Sequence, residues 1–170
     1  MYEKINEKEI YNGKILKLKI ENFKFEGKII KREIVQHKDA VAILPIDDLG
    51  FVYLVKQYRF PVQKEFLEIP AGLVEENEDY EKAALRELQE EVGFFSKNLQ
   101  KIFEGYNSVG FCNEKTIIYI AKDLVSSKLP EDEDENLTVV KIHIDKLKQM
   151  YLNNEINDFK TAIAILSQMN

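Results

Sequence analysis

Glu87, Glu90 and Glu91 lie close enough in the chain to share one edge of any helix that contains them. Carboxylates placed this way repel one another unless a cation lies among them, and an all-oxygen donor set suits a hard divalent ion such as magnesium, with manganese as the alternative. A solvated acidic face balanced by Lys82 and Arg86 would have the same composition. A second chemical feature lies just upstream, in QYRFPVQKEFLEIPAG, which brings Arg59, Glu65 and Glu68 towards the acidic stretch. The planar donor fork of an arginine is well matched to a phosphate. Downstream, the run LPEDEDE contains Glu133 and Glu135. Such a run reads as a solvated loop by composition alone, or as the source of a further carboxylate if a metal-binding helix stands beside it.

The glutamates need a rigid element to hold them, and GLVEENEDYEKAALRELQEEVGF supplies one. Asn77 is the expected N-cap, Glu78 and Asp79 place negative charge in the first turn, and Gly93 is the expected stop. Tyr80, Ala83, Ala84, Leu85, Leu88 and Val92 gather on one apolar face, with Glu87 and Glu91 at its edge. Around this helix the alternation of apolar residues predicts strands at 40–45, 51–57, 100–106, 115–121 and 137–144, with a loop at 107–114. A short helix is expected from Asp145. A second is expected over 157–169, with Phe159, Ala162, Ile163, Leu166 and Met169 as its core stripe. Residues 9–36 alternate around the turn Glu26-Gly27 and read as an antiparallel sheet, on which Arg32 and Glu33 face outward. A sheet this small is marginal alone and must be covered by the main domain or by a second subunit.

The expected organisation is an N-terminal sheet over residues 1–38 followed by one main domain over 39–170, in an α/β (α+β) fold. A net charge of −6 argues against general nucleic-acid binding. No apolar run reaches bilayer length, so no membrane partner is expected. Cys112 has no partner for a disulfide and the N-terminus has no apolar signal core, which together predict a cytoplasmic protein. His37 and His143 share no motif and read as structural. Cys112 has no paired histidine to make it a nucleophile.

Written as G-x5-E-x7-R-E-(apolar)-x-E-E-x-G-(apolar), residues Gly72, Glu78, Arg86, Glu87, Leu88, Glu90, Glu91, Gly93 and Phe94 resemble the Nudix box of the Nudix hydrolase superfamily at every defined position. Average residue usage puts a chance match on the order of 10⁻⁷, which favours a functional site over a solvated face. IIKREIV, VKQYRFPV, EFLEIPAG and INDFKTAIAIL, in that order, are similar to stretches of the ADP-ribose pyrophosphatase branch, and the likeness runs from about Ile10 to Leu166. The resemblance implies an αβα sandwich around a mixed sheet, an N-terminal antiparallel sheet that takes part in a homodimer, and a nucleoside diphosphate substrate. It implies that the Ala71 carbonyl with Glu87 and Glu91 binds magnesium, that Glu90 binds or orients a further ion, and that Glu135 adds a metal contact. Glu133 would be the base, with Glu90 also in the catalytic set. Arg32 and Glu33 would face the adenine and ribose-phosphate region, and Arg59 would hold a phosphate, with Glu68 counted among the substrate contacts. Asp132 and Asp134 offer other registers for the acidic loop. In Ser108-Val109-Gly110-Phe111, Val109 stands where ADP-ribose-specific members usually carry proline. Another nucleotide sugar, a dinucleoside polyphosphate, or a silent module that senses a nucleotide sugar are the alternatives.

Overall fold

The computed structural model describes residues 1–130 and 137–169. In chain order the elements are β1 (Glu3–Asn12), β2 (Leu16–Phe25), β3 (Lys28–His37), β4 (Ala40–Pro45), β5 (Phe51–Arg59), β6 (Lys64–Glu68), β7 (Ala71–Leu73), α1 (Tyr80–Val92), β8 (Phe94–Tyr106), β9 (Lys115–Ser126), β10 (Leu137–His143), α2 (Ile144–Leu152) and α3 (Phe159–Leu166). The strands make three sheets, ordered β1-β2-β3, β10-β5-β6 and β7-β4-β9-β8. The chain divides into two compact units, Met1–Asp39 with Gly105–Thr116, and Ala40–Glu104 with Ile117–Asn170.

In the first unit β2 and β3 pair without a break from Leu16↔His37 to Phe25↔Lys28. Their turn is Glu26-Gly27, with φ of 48° and 78°, the positive angles that match a two-residue turn to the twist of a hairpin. The sheet starts earlier than the alternation indicates, because β1 begins at Glu3 and all of its residues are exposed. A strand with no buried face carries no hydrophobic period. It is held by its ladder to β2 and by ion pairs such as Lys4 to Glu21 at 2.7 Å and Lys19 to Glu7 at 2.9 Å. The segment 105–116 joins this unit where Val35 N–H donates to the Phe111 carbonyl at 2.7 Å.

In the second unit strand β4 decides the layering. Alternate residues point to opposite faces, and both faces are dry. Ala42 and Leu44 pack with Leu54, Ile118, Leu147 and Ile165, while Val41 and Ile43 pack with Ala83, Ala84, Leu88 and Ile117. One face is therefore covered by α1 and the other by α2 and α3. This is the expected αβα arrangement, and each fully buried Leu or Ile contributes about 1.5–3 kcal/mol to it.

Two local expectations are corrected. The N-cap of α1 is Asp79, whose side chain accepts from the N–H groups of Glu81 at 3.0 Å and Lys82 at 3.3 Å. Asn77 instead takes a positive φ of 64° in the preceding turn, a conformation asparagine tolerates. In α3 the inward residues are Thr161, Ala164 and Ile165, while Phe159 is 86% exposed. The helix is turned by Thr161, whose hydroxyl is drawn inward by Asp158 Oδ2 at 2.6 Å and by the Ile69 N–H at 2.9 Å. A hydrophobic pattern alone cannot register such a polar anchor.

Candidate active site

Helix α1 carries the three glutamates on the edge that meets β7. Glu87 and Glu91 are turned inward, only 7% and 2% exposed, and Glu90 lies at the rim. Glu91 Oε2 accepts from the Ala71 N–H at 3.0 Å. Glu87 lies so close to Gly72 that a Cβ there would sit 2.1 Å from its carboxyl group. Glycine is the residue the close approach requires. Gly93 ends the helix in the left-handed region, φ 78°, as expected, and its N–H returns to the Gln89 carbonyl.

Arg86 knits this edge together. Its Nε and Nη2 donate to Glu78 at 2.9 and 3.0 Å, its Nη1 donates to Glu87 at 2.6 Å and to Glu90 at 2.9 Å, and Nη2 also reaches the Leu73 carbonyl at 3.1 Å. The bonds it donates to Glu78 hold the guanidinium pKa well above its ordinary value, and Arg86 in turn holds the Glu78 carboxyl below the usual carboxylate range. The repulsion that pointed to a divalent ion is thus relieved in part by the protein's own cation. One guanidinium bonds three carboxylates of this edge, Glu78, Glu87 and Glu90. Among the described residues no three acidic, histidine or cysteine side chains already converge as a metal cage. The donors are nonetheless all hard oxygens, and the Gly72 backbone makes the cradle in which the Glu87 carboxylate sits. That chemistry fits a hard divalent cation.

A second charged cluster adjoins the first. Glu68, 1% exposed, accepts from Arg59 Nε at 2.7 Å and from Arg59 Nη2 at 2.6 Å. Lys160 Nζ bonds the same carboxylate and also Asp158 Oδ1, the latter at 3.0 Å. Burial pushes the Glu68 carboxyl up, but the bonds from Arg59 and the pairing with Lys160 outweigh it and hold it below the usual range. The Arg59 guanidinium is raised by its bonds to Glu68, with further contributions from the charges of Asp158 and Glu91. Arg59 therefore stands within electrostatic reach of the α1 edge.

The structure brings Ala71, Glu87, Glu90 and Glu91 together, with Arg59 and Glu68 beside them. Both Glu68 oxygens are occupied by protein donors. Arg32 and Glu33 are exposed on β3 in the other unit, where Arg32 Nη1 donates to the Lys31 carbonyl at 2.9 Å. Glu133 and Glu135, with Asp132 and Asp134, lie outside the described residues. His143 caps α2 by accepting from the Asp145 N–H. The sequence reading missed Lys160 and Asp158. Asp158 was within reach as a capping residue before an apolar run. The partnership of Lys160 with a residue so distant in the chain leaves no local signal.

A family model described as NUDIX domain matches residues 36–161. This chain belongs to the Nudix family. The protein is a Nudix hydrolase, and the matched span contains the loop and helix from Gly72 to Phe94 that resemble the Nudix box. It is 40% identical over 164 residues to an ADP-ribose pyrophosphatase of Bacillus subtilis (strain 168), across 95% of this chain and 89% of the relative. Over the same span and shares it is 35% identical to a methanol dehydrogenase activator of Bacillus methanolicus. A crystal structure of an ADP compounds hydrolase shares the fold at a TM-score of 0.86, covering 98% of this chain and 92% of that chain at 23% identity. No described helix is long and apolar enough to cross a membrane.

Proposed function

We propose that this Nudix hydrolase cleaves the diphosphate bridge of ADP-ribose to give AMP and ribose 5-phosphate, or that of a closely related nucleoside diphosphate sugar to give a nucleoside monophosphate and a sugar phosphate, and that it depends on magnesium. The observation that carries the reading is the burial of Glu87 and Glu91 against the Ala71-Gly72 corner, with Arg59 anchored beside them. Glu87, Glu90, Glu91 and the Ala71 carbonyl would hold the ion, with Glu135 as a further ligand. When bound, the ion supplies neutralisation of the diphosphate and acidifies the attacking water. Arg86 keeps the Glu87 and Glu90 carboxylates oriented. Arg59, held by Glu68 along its Nε–Nη2 edge, has its Nη1 end for a substrate phosphate. Glu133 would take the proton from water as general base.

The 40% identity over 95% of this chain with a relative named ADP-ribose pyrophosphatase supports the substrate. Val109 in place of proline favours testing other nucleotide sugars beside it. We also propose a homodimer, because β1 and its flanks expose Tyr2, Ile5, Ile10, Tyr11 and Ile15, more apolar surface than a free ribbon holds in water. Arg32 and Glu33 would then serve the nucleoside end of the substrate. The test is a panel of ADP-ribose, GDP-mannose and dinucleoside polyphosphates incubated with magnesium, with products identified by chromatography. AMP and ribose 5-phosphate formed from ADP-ribose at the highest kcat/KM support the assignment. A higher kcat/KM on another compound moves the substrate and leaves the hydrolase in place.

A further inference from the structure

The Glu68 carboxylate has two ways to grip a guanidinium, side-on through Nε and Nη2 or end-on through the two terminal nitrogens. The end-on grip would occupy both terminal nitrogens, whereas the side-on grip leaves Nη1 for another anion. The structure holds the side-on form, and a residue from the far end of the chain, Lys160, bonds the same carboxylate.

We propose that Lys160 is a positioning residue for the reaction: clamped between Asp158 and Glu68, it pins one Glu68 oxygen so that Arg59 is gripped side-on and keeps its Nη1 end turned to the substrate. This rests on the reading of Arg59 as a phosphate contact. Lys160 Nζ shares Glu68 Oε2 with Arg59 Nη2, and its other contact is Asp158 Oδ1 at 3.0 Å. Asp158 is itself fixed, because its Oδ2 accepts from the Thr161 N–H at 3.0 Å and from the Thr161 hydroxyl at 2.6 Å. Thr161 is fully buried, and its Oγ1 accepts from the N–H of Ile69, the residue after Glu68. A continuous path of bonded groups therefore runs from the cap of α3 through Lys160 and Glu68 to Arg59.

The charges make Lys160 more than a brace. Two carboxylates, Glu68 and Asp158, face two cations, Arg59 and Lys160. With Lys160 removed, Arg59 alone must answer both carboxylates, and the charge of Asp158 already acts on it. The guanidinium would be drawn towards α3 and away from the substrate. A lysine suits the bridging position, since its ammonium is a point charge with three donors and carries no planar fork to compete for the Arg59 geometry.

Other contacts also hold α3 in place. Thr161 ties α3 to Ile69, and Ala164 and Ile165 lie in the core. Lys160→Met should therefore melt cooperatively, and its KM for ADP-ribose with magnesium should rise about 10-fold while kcat changes by less than about 3-fold, because binding is lost and the box is untouched. Lys160→Arg should recover part of the loss. The deciding measurement is the cycle with Arg59→Ala: if Lys160 acts through Arg59, the double variant has the KM of Arg59→Ala alone. An unchanged KM in Lys160→Met beside a raised KM in Arg59→Ala overturns the role of Lys160 and spares Arg59, as do KM effects that multiply. An unchanged KM in Arg59→Ala overturns the phosphate reading and this proposal together. If Lys160→Met does not fold, Lys160→Gln, which keeps hydrogen-bond donors without the charge, takes its place in the same cycle.

Discussion

Gly72 shows how a site can depend on an atom that is absent. The Glu87 carboxylate occupies the space a Cβ would fill, and the contact would be 2.1 Å. Since the clash falls on the far end of a flexible side chain, Gly72→Ala should leave the fold intact and displace the carboxylate. We expect kcat to fall on the order of 10²-fold and the magnesium concentration for half-maximal rate to rise. Circular dichroism beside a magnesium titration checks it, and an alanine variant with unaltered magnesium dependence would contradict the cradle. At this scale the chemistry was legible in the sequence where spacing is local. Glu87, Glu90 and Glu91 are neighbours on one helix, so the chain itself indicates that they share an edge. The bond network of Arg86 was half legible, since Glu90 is four residues on but Glu78 belongs to the preceding loop. Lys160 was not legible, because its bond to Glu68 exists only after α3 has docked on the end of β6.

The elements were legible where their polar and apolar faces differ. Strand β4 was read to its boundaries, and the stop of α1 at Gly93 was clear because the left-handed region favours glycine. Strand β1 went unread in its first half because none of its residues is buried. The start of α1 was placed two residues early, at Asn77, because Asn77 and Asp79 are equally good capping residues by type. Geometry distinguishes them, since only Asp79 has extended backbone and accepts from the first free N–H groups. Asp79→Ala should cost about 1 kcal/mol, a fall in Tm of roughly 2–4 °C in a chain of this size. Thermal unfolding at neutral pH measures it. A Tm unchanged by the substitution would show that the helix starts elsewhere. Helix α3 is the opposite case, a register set by Thr161 and its hydrogen bonds and not by the apolar residues that made the helix recognisable.

For the whole molecule, the αβα layering follows from one strand with two dry faces, and it fits both the Nudix family model and the shared fold of the ADP compounds hydrolase. The exposed apolar residues of the N-terminal sheet belong to the proposed dimer. Light scattering at micromolar concentration should give twice the 19.9 kDa chain mass, and a monomer with full turnover would end that part of the account. We propose that the buried box carboxylates serve magnesium-dependent hydrolysis. Glu91→Gln tests it most directly, because the amide keeps the shape of the side chain and removes the charge. Measured as release of AMP from ADP-ribose across a magnesium titration, kcat should fall on the order of 10³-fold or more in a protein that still folds. Turnover near that of the unsubstituted enzyme, at any magnesium concentration, would contradict it.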